Sequence, residues 1–169
     1  MSVRFVIDSL DFVRNAGIQH GRIPLLELAR LHDLLFDKEG EVTYQIRGYF
    51  DKNNKPSLHL EIKGEIHLSC QRCLDKLIHV IDLQNDLILA QNEVELNQND
   101  AEDGIDAILA SNDLDVMNLI EEEIILGLAI SSRHPEGECI VHQKDLTSSS
   151  MDESQSAHPF AILSSLKKH

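Results

Sequence analysis

Residues 58–73 read Leu-His-Leu-Glu-Ile-Lys-Gly-Glu-Ile-His-Leu-Ser-Cys-Gln-Arg-Cys, and this stretch decides the predicted fold. Apolar residues occupy every second position from Leu58 to Leu68 except Gly64, which is the period of a half-buried β-strand. Cys70 and Cys73 follow at once. Two thiols three positions apart at the tip of a strand-turn-strand can converge on one point. The stretch therefore predicts a long strand that ends in a knuckle able to hold a metal ion or brace a hairpin.

Two further strand-like segments flank this strand. Residues 42–50 alternate with the same period, and residues 51–56 have the Asn, Asp and Pro composition of a turn. After the knuckle, residues 77–83 continue as a strand, and residues 86–90 extend or follow it. Three long strands in sequence favour an antiparallel meander over a doubly wound sheet. The predicted fold class is α+β, an antiparallel sheet with one or two docked helices and a flexible C-terminal tail.

The other elements are predicted from helix-capping residues, apolar periodicity and the Gly and Pro residues that mark loops. Before the meander we expect a strand over residues 3–7, a helix from Asp8 or Ser9 to about residue 18, a loop marked by Gly21 and Pro24, and a short helix over 25–31.

After the meander, the acidic run at 91–104 predicts a solvated loop and residues 105–109 a short edge strand. Apolar spacings of three and four predict a docked helix over residues 114–128. Ser111-Asn112-Asp113 is the candidate N-cap, and Asp113 and Asp115 lie in the predicted first turn, where the helix dipole favours acids.

The composition divides the chain into three parts. Residues 1–142 predict a single α+β domain. Residues 143–157 are Ser-rich and polar and lack periodicity, so they predict a disordered linker. Residues 158–169 turn apolar again and end in Lys167, Lys168 and His169, which indicates a C-terminal docking peptide.

The charge balance restricts the class of partner. The chain carries 29 Asp and Glu against 15 Lys and Arg, a net charge of −14. This charge repels polyphosphate at long range, so nucleic-acid binding would need a local basic patch or a basic partner protein. The sequence has no apolar stretch of membrane-spanning length and no signal-peptide pattern, and its three cysteines suit a reducing compartment. We expect a cytoplasmic protein with no membrane partner.

The cysteines are the strongest candidates for metal ligands. A structural zinc site needs four N or S ligands, and Cys70 and Cys73 supply two. His134 and Cys139 are the only compact second pair, and His142 could replace His134. Two alternatives stay open: reduced thiols packed at a hairpin end, and a redox role. The redox role is disfavoured because the C-x-x-C motif does not follow a βαβ strand-to-helix turn.

Catalytic signatures are sparse. The sequence contains no nucleophile in a Gly-rich elbow, no phosphate-cradling loop and no H-E-x-x-H motif. The carboxylates of Glu121, Glu122 and Glu123 favour a solvated face or a capture surface for a basic partner over acid-base catalysis. Arg72, with Lys76 nearby, is the best local basic feature. We expect a protein that is not an enzyme, the alternative being a metal- or thiol-dependent enzyme centred on the knuckle.

Four short blocks follow one another along the chain: Cys70-Gln71-Arg72-Cys73-Leu74; Glu122-Glu123-Ile124-Ile125-Leu126; His134 with Cys139; and Pro159-Phe160-Ala161-Ile162-Leu163 with Leu166-Lys167. In this order and at these separations they resemble the YceD-like family, whose members are named large ribosomal RNA subunit accumulation proteins. The resemblance covers nearly the whole chain. Some members carry a second C-x-x-C motif, whereas here His134 would have to complete the ligand set with Cys139.

The resemblance implies a non-enzymatic factor required for the synthesis, processing or accumulation of 23S rRNA and hence for large ribosomal subunit assembly. Because the net charge opposes direct RNA capture, we expect the primary contact to be a ribosomal protein or a large-subunit precursor, with rRNA contacted indirectly and no small-molecule substrate. The expected partner-binding residues are Arg72, Glu122, Glu123, Pro159, Phe160 and Leu163. The expected cofactor is none, or zinc on Cys70, Cys73, His134 and Cys139.

Overall fold

The structure has the predicted α+β class. The computed structural model describes residues 5–100 and 106–139. Its elements in chain order are β1 (Val6–Ile7), α1 (Ser9–Arg14), β2 (Ile18–Pro24), two 3₁₀ turns (Leu25–Glu27 and Ala29–Leu31), β3 (Glu41–Phe50), β4 (Pro56–Ser69), β5 (Lys76–Ala90), α2 (Glu93–Asp100), β6 (Asp106–Leu109), β7 (Leu114–Asp115) and α3 (Val116–Gly127). One sheet has the strand order β2-β3-β4-β5-β6, and β1 pairs separately with β7.

The three longest strands form the predicted antiparallel meander. Ile46 lies opposite Leu60 across the β3–β4 ladder, and Ile62 lies opposite Leu83 across the β4–β5 ladder. Because side chains alternate between faces, these apolar residues share one face, where the core forms beneath the helices. The opposite face is exposed at alternate positions of β5 from Lys76 to Asp86.

The N-terminal predictions were partly wrong. The helix ends at Arg14 and not near residue 18, and the predicted loop at Gly21 and Pro24 belongs to β2, which pairs with β3 along its length. Gly and Pro are tolerated because β2 is an edge strand and Pro24 is its last residue. The predicted helix over residues 25–31 is a pair of 3₁₀ turns.

The acidic segment after the meander is also different from the prediction. Helix α2 lies within the predicted loop, and Asn92 caps it by accepting a hydrogen bond from the Glu95 backbone N–H at 2.9 Å. The Glu95 carboxylate accepts one from the Gln91 N–H at 2.9 Å in return, so the pair resembles a capping box. Strand β6 runs parallel to β5, and a parallel pair needs a crossover, of which α2 forms part.

Helix α3 lies close to its predicted position but begins differently. Its N-cap is Asp115, whose side chain accepts hydrogen bonds from the Met117 and Asn118 N–H groups, and not the predicted Ser111 to Asp113. Helix α3 ends at Gly127, one residue before the predicted end.

Several predictions concern parts of the chain outside the described residues. These are the start of the first strand, the linker at 143–157, the docking peptide at 158–169 and the alternative ligand His142. Within residues 5–100 and 106–139, no helix is long and apolar enough to cross a bilayer.

Candidate metal centre

The knuckle closes the long hairpin between β4 and β5. The Leu74 N–H donates to the Cys70 carbonyl at 2.9 Å, and the Cys70 N–H donates to the Asp75 carbonyl at 3.0 Å. This tight path places Leu74 in the left-handed region, with φ of 61°. A residue with a Cβ costs about 1–2 kcal/mol there. The turn thus holds Cys70 and Cys73 close together at the expense of local strain.

The second half of the cluster comes from the chain that follows α3. The Gln71 N–H donates to the Ser132 carbonyl at 2.9 Å and ties this segment to the knuckle. A turn then brings the chain back, with Glu138 N–H donating to the Pro135 carbonyl at 3.2 Å and Gly137 at φ of 89°. This turn carries Cys139 to the same side as His134.

The four predicted ligands converge. One ligand atom from each of Cys70, Cys73, His134 and Cys139 lies within 4.8 Å of each of the others. Cys70 Sγ is 3.8 Å from Cys139 Sγ, and His134 Nδ1 is 3.4 Å from Cys73 Sγ and 3.9 Å from Cys139 Sγ.

These separations fit a tetrahedral zinc site. Zinc–sulfur bonds of about 2.3 Å and zinc–nitrogen bonds of about 2.0–2.1 Å place neighbouring ligands of a tetrahedron about 3.5–3.8 Å apart. The three ligand separations above are close to these edges. Three thiols and one imidazole also form one of the ligand sets that structural zinc uses. The cluster is therefore suited to bind a metal ion.

The orientation of His134 supports the same conclusion. Its Nε2 lies 3.0 Å from the Lys76 carbonyl, to which it can only donate. In the neutral ring this leaves Nδ1, which faces the thiols, with the lone pair that a metal ligand needs. A histidine ligand whose second nitrogen donates to a backbone carbonyl is the usual outer-shell arrangement of a metal site.

The electrostatics of the cluster favour a thiolate at its most buried member. Burial raises the pKa of the Cys70 thiol. Hydrogen bonds from the backbone of Cys73, His134 and Arg72 lower the pKa by more than burial raises it, to about 5. The Lys76 carbonyl raises the pKa of His134, and burial followed by the neighbouring thiols raises that of Cys139. A pocket that concentrates negative charge on sulfur attracts a soft cation.

The predicted partner-binding residues do not gather at one place. Arg72 is exposed on the knuckle, while Lys76 lies 3.3 Å from Asp37 and is partly neutralised by it. Glu122 is exposed on α3, whereas Glu123 is only 6% exposed and accepts a hydrogen bond from Asn85. A direct partner contact therefore suits Glu122 and not Glu123. Pro159, Phe160 and Leu163 lie outside the described residues.

Glu121 has a structural role that the sequence does not predict. Buried Glu121 accepts hydrogen bonds from the Arg30 and Leu31 N–H groups at 2.6 and 3.3 Å, so it fastens the 3₁₀ turns to α3. No local pattern announces this contact, because the partners are about ninety positions apart.

On the exposed face of the sheet, Asp86 accepts from Tyr49 Oη at 2.9 Å and lies 2.7 Å from His59 Nδ1. His59 Nε2 is also 3.3 Å from Glu61. Burial and then the Asp86 hydrogen bond raise the pKa of Tyr49 to about 12, which keeps its hydroxyl protonated. Since both nitrogens of His59 face carboxylates, this network ties strands together and offers no free base.

A comparison with protein families identifies the family of this chain. The family described as large ribosomal RNA subunit accumulation protein YceD matches residues 58–167, which is more than half of the chain. The matched region begins with β4 and includes the knuckle, α3, His134 and Cys139. No solved structure matches the chain. The chain belongs to the YceD family.

Proposed function

We propose that this member of the YceD family is a non-enzymatic cytoplasmic factor for the accumulation of large-subunit ribosomal RNA, and that it acts by binding. The family match carries the first part of this proposal, because the family is named for large ribosomal RNA subunit accumulation. The mode of action is argued from the chemistry of the described residues.

The alternative of an enzyme centred on the knuckle has little support. Cys70, whose thiol pKa is lowered to about 5, has a fully buried side chain, so a substrate cannot reach it. The network around His59 has a carboxylate on each ring nitrogen and no nucleophile between them. The groups that most resemble catalytic ones among the described residues are thus occupied with structural contacts.

The charge of the chain supports a basic protein as the partner. The net charge of −14 favours a cationic protein surface over bare RNA. Helix α2 packs against β6, and Asp106 of β6 shares a cavity with Glu122 of α3. We group these two residues with Glu93 and Glu95, the acids in the first turn of α2, and call the four the acidic edge. We propose that this edge contacts a basic ribosomal protein or a basic surface of a large-subunit precursor, and that contact with rRNA is indirect.

The cellular role is tested by the ratio of large-subunit to small-subunit rRNA in cells lacking this chain. The ratio should fall, and the wild-type chain supplied in trans should restore it. An unchanged ratio in the absence of the chain would refute the role itself, whatever the mode of binding.

The mode of binding is tested separately by pull-down with purified ribosomal proteins and with naked rRNA at physiological salt. We expect capture of basic ribosomal protein, weakened when Glu93→Lys and Glu122→Lys are combined. The matched control is Glu65→Lys with Asp82→Lys, which makes the same charge change on the exposed sheet face. Tight, salt-sensitive binding to naked rRNA alone would contradict the proposed partner.

We further propose that Cys70, Cys73, His134 and Cys139 hold a structural zinc ion. The distances, the ligand set and the orientation of His134, whose Nδ1 faces the thiols, support this. Native mass spectrometry should find one zinc per chain and none in the Cys73→Ser variant. Removing a direct ligand should weaken zinc affinity by more than the roughly 10–100-fold that follows from removing an outer-shell partner. His142→Ala should retain zinc; loss of zinc there, with retention in His134→Ala, would contradict the ligand set.

A further inference from the structure

A shallow apolar groove lies beside the knuckle. It has a volume of about 140 Å³, and its apolar lining comes from Leu34, Leu68, Leu74, Leu128 and Ile130, with Asp33 among its polar residues. We call it the knuckle groove. Its lining joins the segment after the second 3₁₀ turn with the end of β4, the knuckle turn and the segment after α3, and the metal cluster also brings the last three together.

The rim of the knuckle groove exposes large apolar side chains. Leu74 is 73% exposed and Ile130 is fully exposed, so the described residues leave both side chains in water. Leu74 also stands in a left-handed conformation that glycine would adopt without strain. A strained turn therefore presents an apolar side chain at the rim. Grouped apolar exposure of this kind indicates a surface that another segment covers.

The described chain ends beside the knuckle groove, and this favours the C-terminal segment as the one that covers the groove. Cys139, its last residue, lies in the cluster, with its sulfur 3.8 Å from that of Cys70. The chain continues from there to Pro159, and the intervening 140–158 span can reach at most about 65 Å when fully extended. The knuckle groove is thus within reach of any segment that begins at Pro159, and the tether gives that segment a raised effective concentration at the groove.

The chemistry of the tethered segment matches the groove. Residues 159–166 read Pro-Phe-Ala-Ile-Leu-Ser-Ser-Leu and supply apolar side chains, and Lys167 and Lys168 follow them. Asp33 provides an opposite charge at the groove. We propose that residues 159–166 dock in the knuckle groove of their own chain and cover Leu74 and Ile130. This inference does not depend on the role in rRNA accumulation or on the partner.

A single tryptophan tests the docking, because the chain contains none. In the full-length Phe160→Trp protein with zinc added, we expect blue-shifted emission and protection from acrylamide quenching. Leu74→Gly and Ile130→Asp, each added to this protein, should shift the emission to that of the free peptide and raise the quenching. Leu74→Gly suits the φ of 61° and so removes the side chain without disturbing the turn.

Two control variants make the same kind of change as Ile130→Asp, from an apolar residue to an acid, at sites outside the knuckle groove. Leu126→Asp alters a larger cavity of about 590 Å³ between α3, β5 and β6, and Val80→Asp alters the exposed sheet face. Neither should change the tryptophan emission. Release by Leu126→Asp but not by Ile130→Asp would overturn the proposal, as would water-like emission in Phe160→Trp itself. Emission that becomes blue-shifted only as protein concentration rises would show that a second copy fills the groove, which also contradicts docking within one chain.

Discussion

The two ends of the β4–β5 hairpin are held by different interactions. At the end far from the knuckle, Leu58 lies opposite Gly48 and Leu87, and a Cβ on Gly48 would lie 2.7 Å from the Val13 Cα. The missing side chain lets α1 pack directly on the strands. At the knuckle end, three thiols and one imidazole meet in a half-buried corner. The far end buries apolar side chains, whereas the knuckle end brings together four side chains that are suited to bind a metal ion.

The largest effect is expected at the far end. Leu58 is fully buried, so Leu58→Ala should lower the free energy of unfolding by about 2–5 kcal/mol through lost burial and a residual cavity. Denaturant unfolding measures this loss. Leu58→Met keeps most of the volume and should cost less than about 1.5 kcal/mol. Equal losses in the two variants would show that packing does not hold this end.

The knuckle end should respond to zinc and the far end should not. At zinc about a hundred times above its Kd, wild-type protein should gain about 2.7 kcal/mol of stability, since the ion binds the folded chain. Cys73→Ser should gain nothing, while Leu58→Ala should keep the full gain because the two sites are separate. Unfolding curves with and without zinc measure all three. A zinc response that vanishes in Leu58→Ala would mean that the two ends are coupled.

A smaller loss of stability is expected when the hydrogen bonds between Glu121 of α3 and the 3₁₀ turns are removed. Glu121→Ala removes the acceptor of the Arg30 N–H and one of the two acceptors of the Leu31 N–H, which also donates to the Leu28 carbonyl, and should cost about 1–3 kcal/mol. Glu122→Ala, on the exposed side of the same helix, should change stability by less than about 0.5 kcal/mol. Denaturant unfolding compares the two. Similar values for both variants would contradict the assigned role of Glu121.

The smallest effect is a pH dependence from Glu123. Burial raises its pKa above the ordinary 4.5, so the folded chain binds the proton more tightly than the unfolded chain does. Stability from this group is therefore full below pH 4.5 and is lost as the pH rises through the raised pKa. Glu123→Gln should remove that decline from the stability-against-pH curve, and Glu122→Gln should not. Parallel curves for wild type and Glu123→Gln would exclude the effect.

The parts predicted well from sequence are those whose signal is local. A period of two along 58–68 specifies a half-buried strand whatever its neighbours are, and a C-x-x-C at a turn brings its own thiols together. His134 and Cys139 were identified because few other nitrogen or sulfur pairs are compact in the sequence. Their meeting with the knuckle then required the Gln71–Ser132 hydrogen bond, which spacing alone does not reveal.

The parts that were missed depend on distant partners. Gly21 and Pro24 carry loop signals, yet pairing with β3 makes them part of an edge strand. The acidic segment at α2 lacks an apolar period that would predict a helix. Its local signal for a helix is the capping pair of Asn92 and Glu95. Glu121 has the same local surroundings as Glu122, and only the tertiary contact with the 3₁₀ turns distinguishes the two residues.

The central claim, that the chain acts by binding through its acidic edge, is tested most directly by sedimentation of cell extract. Wild-type protein should travel with large-subunit precursors. The variant that combines Glu93→Lys and Glu122→Lys, confirmed as folded by its unfolding curve, should stay among free proteins at the top of the gradient. Wild-type protein found only at the top would contradict the claim, and the charge-reversed variant travelling with the precursors would contradict the role of the acidic edge.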